Sequence, residues 1–381
     1  MESGWGWGSA GATIFNRERA RRENDMSDGL KFGFVVAPVG ASGLDDAALY
    51  QEVIADCKLG QSLGYDSAWM LEHHFSDYFP TPSPLLFMSH VAAHCPGLSF
   101  GSSVLVAPWY HPLRLLGEIS MLSNLTEGEL FIGVGRGTAK MEYDAFDVNM
   151  EHARGRLREC LDIVRLGLTG EPFTYAGEHF NIGRTLRIRP TPQAERIHLF
   201  GAIGSPESAR LTGEMGVAPL NICQFPFHIL EKMVASWEEG AASTGFADGG
   251  RRPVVAHCLM ADTDEEAYAL ARQYLSEFFR LQSAHYEADS EPWTDIKGYE
   301  QFNRYFGNLL ALSKPENIDK FSAHNFVGSA KTVAAQVERL RDIGFNHIMV
   351  HPATVGVPRA VRHDTLRRFA TTVAPEFSEI F

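Results

Sequence analysis

Three times in this chain a helical pattern stops on a glycine and an apolar run begins at once. Leu63-Gly64-Tyr65-Asp66 is echoed by Met215-Gly216-Val217-Ala218 and by Ile343-Gly344-Phe345-Asn346. A glycine placed just past a helix accepts the left-handed conformation that closes it. The runs that follow, 68–71, 218–223 and 347–350, read as buried strands. Repeated helix–glycine–strand units are the grammar of a parallel α/β fold, in which every strand needs a crossover before the next. Further strands are expected at 31–36, 98–106, 130–134, 197–202 and 253–261, which brings the number to eight. Helical patterns separate them, from the 45–63 segment to the 330–343 segment with Ser329 as its N-cap. Eight alternating strands and helices predict a (β/α)8 TIM barrel with insertions rather than an open doubly wound sheet.

Three stretches fall outside that rhythm. Residues 1–28 are Gly/Trp/Ser-rich and then crowded with Arg and Glu, without the apolar core of an export signal. They read as a disordered or flexible arm, leaving 29–381 as the folded domain. Residues 173–196 carry Gly177, Gly183, Pro190 and Pro192 and read as an excursion of small strands or turns. The 281–327 stretch is longer, rich in aromatic and polar residues, and is expected to act as a lid over substrate.

A formal charge of -13 disfavours a nucleic-acid or anionic-membrane partner. No apolar stretch is long enough to span a bilayer. The five cysteines are scattered without a CxxC pair, which suggests reduced thiols in the cytoplasm. The histidines form no HExxH pattern, so no metal site is expected.

Chemistry is expected where strands end. The second strand stops on Glu72, His73 and His74, and a barrel keeps its catalytic groups at the C-terminal ends of its strands. Gly133-Val134-Gly135-Arg136-Gly137 closes the fourth strand; as a dinucleotide fingerprint it is incomplete, but it puts a guanidinium at the mouth. Gly201-Ala202-Ile203-Gly204-Ser205-Pro206-Glu207-Ser208 ends the fifth strand and opens a helix at Pro206. The free N–H groups there, with the Ser205 and Ser208 hydroxyls, suit an anion; plain capping by Ser205 explains the same residues equally well. Arg136 and Ser205 leave neighbouring strands and are placed to share one phosphate. In the third strand, small residues from Gly101 to Ser103 let a flat group approach the backbone. His111 before Pro112 reads as an N-cap contact.

Together these segments resemble the bacterial luciferase-like flavin-dependent monooxygenases. The resemblance rests on Trp69-Met70-Leu71-Glu72-His73-His74-Phe75, Lys31-Phe32-Gly33, His111-Pro112-Leu113-Arg114, Gly133-x-Gly135-Arg136-Gly137, the 122–130 segment and Phe326-Val327-Gly328-Ser329. It implies a TIM barrel, usually a homodimer, binding reduced FMN at its C-terminal mouth. By that resemblance His73 is catalytic, with Glu72 orienting it and His74 beside it. Arg136, Gly204, Ser205 and Ser208 hold the phosphate, with the backbone N–H of Thr138, and Ser103-Val104 is a cis peptide against the flavin ring. Gly135 stands where the light-emitting members have a reactive cysteine, which speaks against luminescence. The expected activity is a two-component monooxygenation, through a flavin peroxide, of a small apolar organic substrate by O2. The reduced FMN comes from a separate flavin reductase. A deazaflavin-dependent dehydrogenase and a non-catalytic flavin-binding protein are the alternatives.

Overall fold

The computed structural model describes residues 29–246, 250–289, 296, 299, 302–352 and 356–378. The arm expected over 1–28 lies outside the described residues, as does part of the 281–327 insertion. The first four strands are β1 (Lys31–Val35), β2 (Ser67–Met70), β3 (Ser99–Val106) and β4 (Leu130–Gly135). An antiparallel hairpin follows, β5 (Phe173–Ala176) and β6 (Asn181–Leu186), which is the excursion expected there. Then come β7 (Ile197–Ala202), β8 (Ala218–Ile222), β9 (Pro253–Met260), β10 (Phe326–Gly328) and β11 (His347–His351). Parallel pairing runs β1–β2–β3–β4–β7–β8–β9–β11 and back to β1, a closed eight-stranded barrel.

The helices between are α1 (Asp46–Ser62), α2 (Pro84–Ala92), α3 (Pro112–Leu125), α4 (Lys140–Ala145), α5 (Ala153–Leu168) and α6 (Pro206–Glu214). They continue with α7 (Phe227–Ser243), α8 (Asp264–His285), α9 (Phe302–Leu312), α10 (Ile318–Ser322), α11 (Ala330–Ile343) and α12 (Arg359–Thr372). The three punctuating glycines do what their position demands: Gly64, Gly216 and Gly344 have φ of 91°, 63° and 107°, where a side chain would strain the backbone. Among the described residues no helix is long and apolar enough to cross a membrane.

Two expectations are corrected. β10 overlaps the end of the 281–327 stretch read as insertion; its three residues add to the side of β9, too short a run for periodicity to reveal. Ser329 sits at the N-cap of α11 but its hydroxyl makes no capping bond. Asp264, from the start of α8, takes that role from a distance, accepting the Ser329 N–H at 2.7 Å and the Thr332 hydroxyl at 2.9 Å.

The barrel interior is layered. At the N-terminal end, Nε2 of His347 lies 3.0 Å from Ser67 Oγ and 3.1 Å from Asp66 Oδ2. Arg251 lies 3.6 Å from both Asp66 and Glu129. Above this polar plug sits an apolar layer of Trp69, Phe131, Phe200, Leu220, Val255 and Met349. Trp69 is fully buried and stacks on Phe131 with centroids 5.5 Å apart. Glycine makes the room: a Cβ on Gly101 would lie 2.2 Å from the indole. The flat group admitted by the small residues of β3 is thus, at Gly101, the protein's own tryptophan.

The polar plug makes an acid-stability prediction. Burial alone would raise the Asp66 carboxyl, but His347 and Arg251 outweigh it and bring the pKa from 3.8 to about 2. A depressed carboxylate stabilises the fold above its unfolded pKa and loses that contribution as pH falls through the folded value. His347, lowered by burial, acts in the same direction, because the unfolded chain takes a proton that the folded chain resists. Asp66→Asn is expected to lose about 2 kcal/mol at pH 7, a difference that shrinks by about half at pH 3 in urea melts. A difference unchanged between the two pH values would contradict the assignment.

Candidate active site

The strand ends build the site at the opposite, C-terminal mouth. A cavity of about 190 Å³ opens there. His73 from the end of β2, Ser103 and Val104 from β3 and Thr138 beyond β4 line one side. The peptide bond between Ser103 and Val104 is cis, at an irregularity in the β3–β4 register between Ser102 and Leu105. Gln282 from α8, Tyr286 just past its end and Tyr305 from α9 form the roof. A larger open groove of about 580 Å³ runs outside the barrel between Lys140 and Glu151; none of the candidate catalytic side chains lines it.

The carboxylate beside His73 is not the one expected. Glu72 points away: its Oε2 accepts the Val106 N–H at 2.8 Å, and its Oε1 accepts the Tyr110 hydroxyl at 3.0 Å and lies 3.1 Å from His74 Nε2. Burial pushes its carboxyl up against those bonds. Glu72 therefore ties the end of β2 to the end of β3, and His74 is part of that tie. The His74 ring is boxed by Trp109 and Phe146, with centroids 5.4 and 4.8 Å away.

Glu142, from the short α4, is the group that faces His73. Its Oε1 accepts the His74 backbone N–H at 2.6 Å and lies 3.5 Å from His73 Nδ1 and 3.4 Å from His285 Nε2. Burial raises a carboxyl, but the two imidazoles in front of Glu142 outweigh it and hold the group at about 2. It is thus an anion at neutral pH. Burial lowers the His73 pKa, with the neighbouring His285 and His74 helping and Glu142 opposing. A neutral imidazole beside a fixed carboxylate can donate one N–H and accept at the other nitrogen. Ser76 Oγ contacts His285 Nδ1 at 2.7 Å, while Glu142 stands within ion-pair distance of both imidazoles without a hydrogen bond to either ring. The three ligand-type atoms of His73, Glu142 and His285 lie within 4.8 Å of one another. This is a spatial cluster that a search for metal-binding spacings in the sequence does not see.

Glu142 and His285 were missed. For Glu142 no local signal exists, since α4 is only six residues long. His285 had one. The buried stripe of α8 runs Ala267, Ala271, Leu275, Phe278, Gln282, His285, and its last two members are polar residues on the core-facing side of a helix. A capping box of Thr263 and Glu266 starts this helix and so fixes which face looks down.

The phosphate candidates lie beyond the ends of two paired strands. β4 and β7 are parallel neighbours with Val134 opposite Gly201, so Arg136 and the Gly204–Ser205 turn leave adjacent strand ends. Ser205 and Ser208 form a capping box on α6, each side chain bonding the other's backbone, and the Gly204 N–H donates to Ser208 Oγ at 3.0 Å. The capping reading is therefore realised. It leaves the helix start, with its positive end, beside a glycine whose Cα meets open space: a Cβ on Gly204 would have nothing within 4 Å. The Arg136 guanidinium lies 4.6 Å over the ring of Tyr299, whose hydroxyl donates to the Gly137 carbonyl at 3.2 Å. Hydroxyls, backbone amides and a guanidinium beyond the ends of two neighbouring strands are a donor set that fits the phosphate of a flavin mononucleotide. His111 is the N-cap residue of α3, as expected, but its side chain makes no capping bond; the ring is exposed and meets Phe180 edge-on at 5.9 Å.

Comparison with known proteins agrees in fold and family. The chain is 36% identical over 165 residues to the uncharacterized protein y4vJ of Sinorhizobium fredii, covering 42% of this chain and 47% of that protein; it spans about half the length of that relative. It is 24% identical to the oxygenase component of the flavin-dependent trigonelline monooxygenase of Acinetobacter baylyi, covering 87% of this chain and 91% of the relative. Among solved structures, the oxygenating constituent of 3,6-diketocamphane monooxygenase from Pseudomonas putida, a type II Baeyer–Villiger enzyme in complex with FMN, superposes with a TM-score of 0.71. That match has 21% identity over 91% of this chain and 99% of the other. An F420-dependent secondary alcohol dehydrogenase superposes with a TM-score of 0.70 at 14% identity, over 91% and 98% of the two chains. Residues 30–347 match the profile of the luciferase-like monooxygenases, and with the closed barrel in view the chain belongs to that family.

Proposed function

We propose that the protein is the oxygenase component of a two-component system that uses reduced FMN and O2 to oxygenate a small, largely apolar organic molecule. The observation that carries this is the pairing of two features on one barrel mouth: a neutral imidazole backed by a buried carboxylate, and an anion-type notch one strand pair away. Bound at that mouth, reduced flavin supplies the electrons that activate O2. His73 holds or moves a proton at Nε2 while Glu142 fixes its orientation through Nδ1. Arg136, Thr138, Gly204, Ser205 and Ser208 hold the phosphate end. Ser103 and Val104 support the ring.

The 281–327 segment acts as a lid. Its Gln282, Tyr286 and Tyr305 line the cavity, which supports a role in keeping water from the ring. At about 190 Å³ the cavity is below the roughly 300–1,000 Å³ typical of ligand pockets, so the roof yields when ring and substrate enter together. The reduced flavin comes from a separate reductase, as the naming of the Acinetobacter relative as an oxygenase component suggests. Five buried free thiols fit a reducing cytoplasm. Exposed Leu86 on α2 and Met121 and Leu125 on α3, two helices that pack together, suit the homodimer interface.

The test is turnover with a reductase supplying FMNH2 under ¹⁸O2. Incorporation of one labelled oxygen into an organic product is expected. Hydrogen peroxide alone across a broad substrate panel, or hydride transfer with deazaflavin in place of FMN, would overturn the reading.

A further inference from the structure

Across the mouth from the ends of β3 and β4 the chamber holds a second pair of imidazoles that the reading above leaves without a task. His257 of β9 and His351 of β11 sit at the same register on neighbouring strands. Their rings lie 4.7 Å apart with planes 28° from parallel. They are 0% and 2% exposed, and both line the cavity. Neither ring nitrogen of His257, nor Nδ1 of His351, has a hydrogen-bond partner among the described residues. Buried polar atoms in native proteins are almost always paired, so three orphaned nitrogens at one end of a cavity point to a ligand group that completes them.

We propose that His257 and His351 are the substrate-recognising end of the chamber and bind an anionic oxygen, carboxylate, phenolate or enolate, carried on a conjugated ring. The inference rests on the flavin reading and names the substrate class for it. Position separates the pair from the flavin cradle. In an eight-stranded ring β9 is the fourth strand from β3 and β11 the fourth from β4, so the imidazoles project from the wall facing Ser103, Val104 and Arg136. Two side-by-side rings each offer one N–H, and one anionic oxygen group accepts both in charge-assisted bonds. Burial keeps both rings neutral, His257 well below the ordinary imidazole value and His351 down to about 3. They therefore donate without a resident counter-ion to displace. The walls around them are aromatic: Phe278 lies 4.8 Å and Phe321 5.5 Å from His257, and Phe79 lies 6.1 Å from His351. A planar ring packs there while its oxygen reaches the imidazoles.

The experiment titrates the full chain, saturated with FMN, with benzoate, benzamide and benzylamine by calorimetry. FMN affinity is measured separately from its fluorescence. Benzoate is expected to bind at least about tenfold more tightly than either analogue, as charge-assisted bonds require. In His257→Phe and His351→Phe that preference falls to within about twofold while FMN affinity stays near wild type. Wild-type protein that holds FMN without preferring benzoate overturns this inference alone, and needs no variant to fold. Preference for benzylamine, or variants that lose FMN rather than benzoate, also overturn it, the latter by assigning the pair to the flavin.

Discussion

Alanine at position 73 is expected to lower turnover by about two orders of magnitude or more, the usual effect of removing a general acid–base group. FMN affinity should stay close to wild type, because His73 faces the chamber rather than the phosphate notch. The pH profile separates a proton-handling role from a packing role. Burial lowers the His73 pKa below its ordinary 6.5, so if the neutral ring is the working form, kcat/KM rises with pH through a value below 6.5 and is flat above it. His73→Ala loses that limb together with the rate. Glu142→Gln moves the limb to still lower pH, because the carboxylate is what opposes the downward shift. A His73→Ala enzyme with unchanged turnover, or a Glu142→Gln limb displaced upward, would remove this pair from the chemistry.

The largest expected effect on stability lies one layer below. Trp69→Ala should cost about 3–5 kcal/mol, the range for truncating a fully buried large aromatic side chain. Trp69 fills the barrel axis, stacks on Phe131 with planes 4° from parallel, and donates its indole N–H to Ser67 Oγ at 2.9 Å. Its removal leaves a void that strands cannot close, since each is pinned on both sides by its neighbours. Against a typical total of about 5–15 kcal/mol, such a loss is readily seen in urea melts. The Gly101 contact gives an internal control. Gly101→Ala places a methyl 2.2 Å from the indole of wild type, but the same substitution meets no indole in Trp69→Ala. The double variant is therefore expected to be more stable than the sum of the two losses implies. Additive losses, or a cost for Trp69→Ala below about 1 kcal/mol, would contradict the packing described.

The fold was readable because its signals are local. Gly64, Gly216 and Gly344 mark helix ends by a conformation few other residues tolerate, and the apolar runs after them are long enough to be seen. β10 escaped, having only three residues, and so did the reassignment of the α11 cap to Asp264, which lies 65 positions away. The site divides in the same way. His73, Arg136 and the Ser205 turn announced themselves as polar groups at strand ends. Glu72 looked like the partner of His73 because it is adjacent in sequence, but its carboxylate is taken by the Val106 N–H, the Tyr110 hydroxyl and His74. The partner instead comes from Glu142, across the mouth. His257 was visible in principle as a lone imidazole inside an apolar strand, as was His285 on the buried stripe of α8. Neither could be paired with anything until the barrel closed.

An anaerobic titration of the protein with reduced FMN, followed by fluorescence, tests most directly whether the β4 and β7 ends grip a flavin. One FMN per chain is expected, with affinity reduced by about tenfold or more in Arg136→Ala, as for loss of a charge-assisted bond to phosphate. No binding of FMN in either redox state, or binding indifferent to Arg136, would contradict the account.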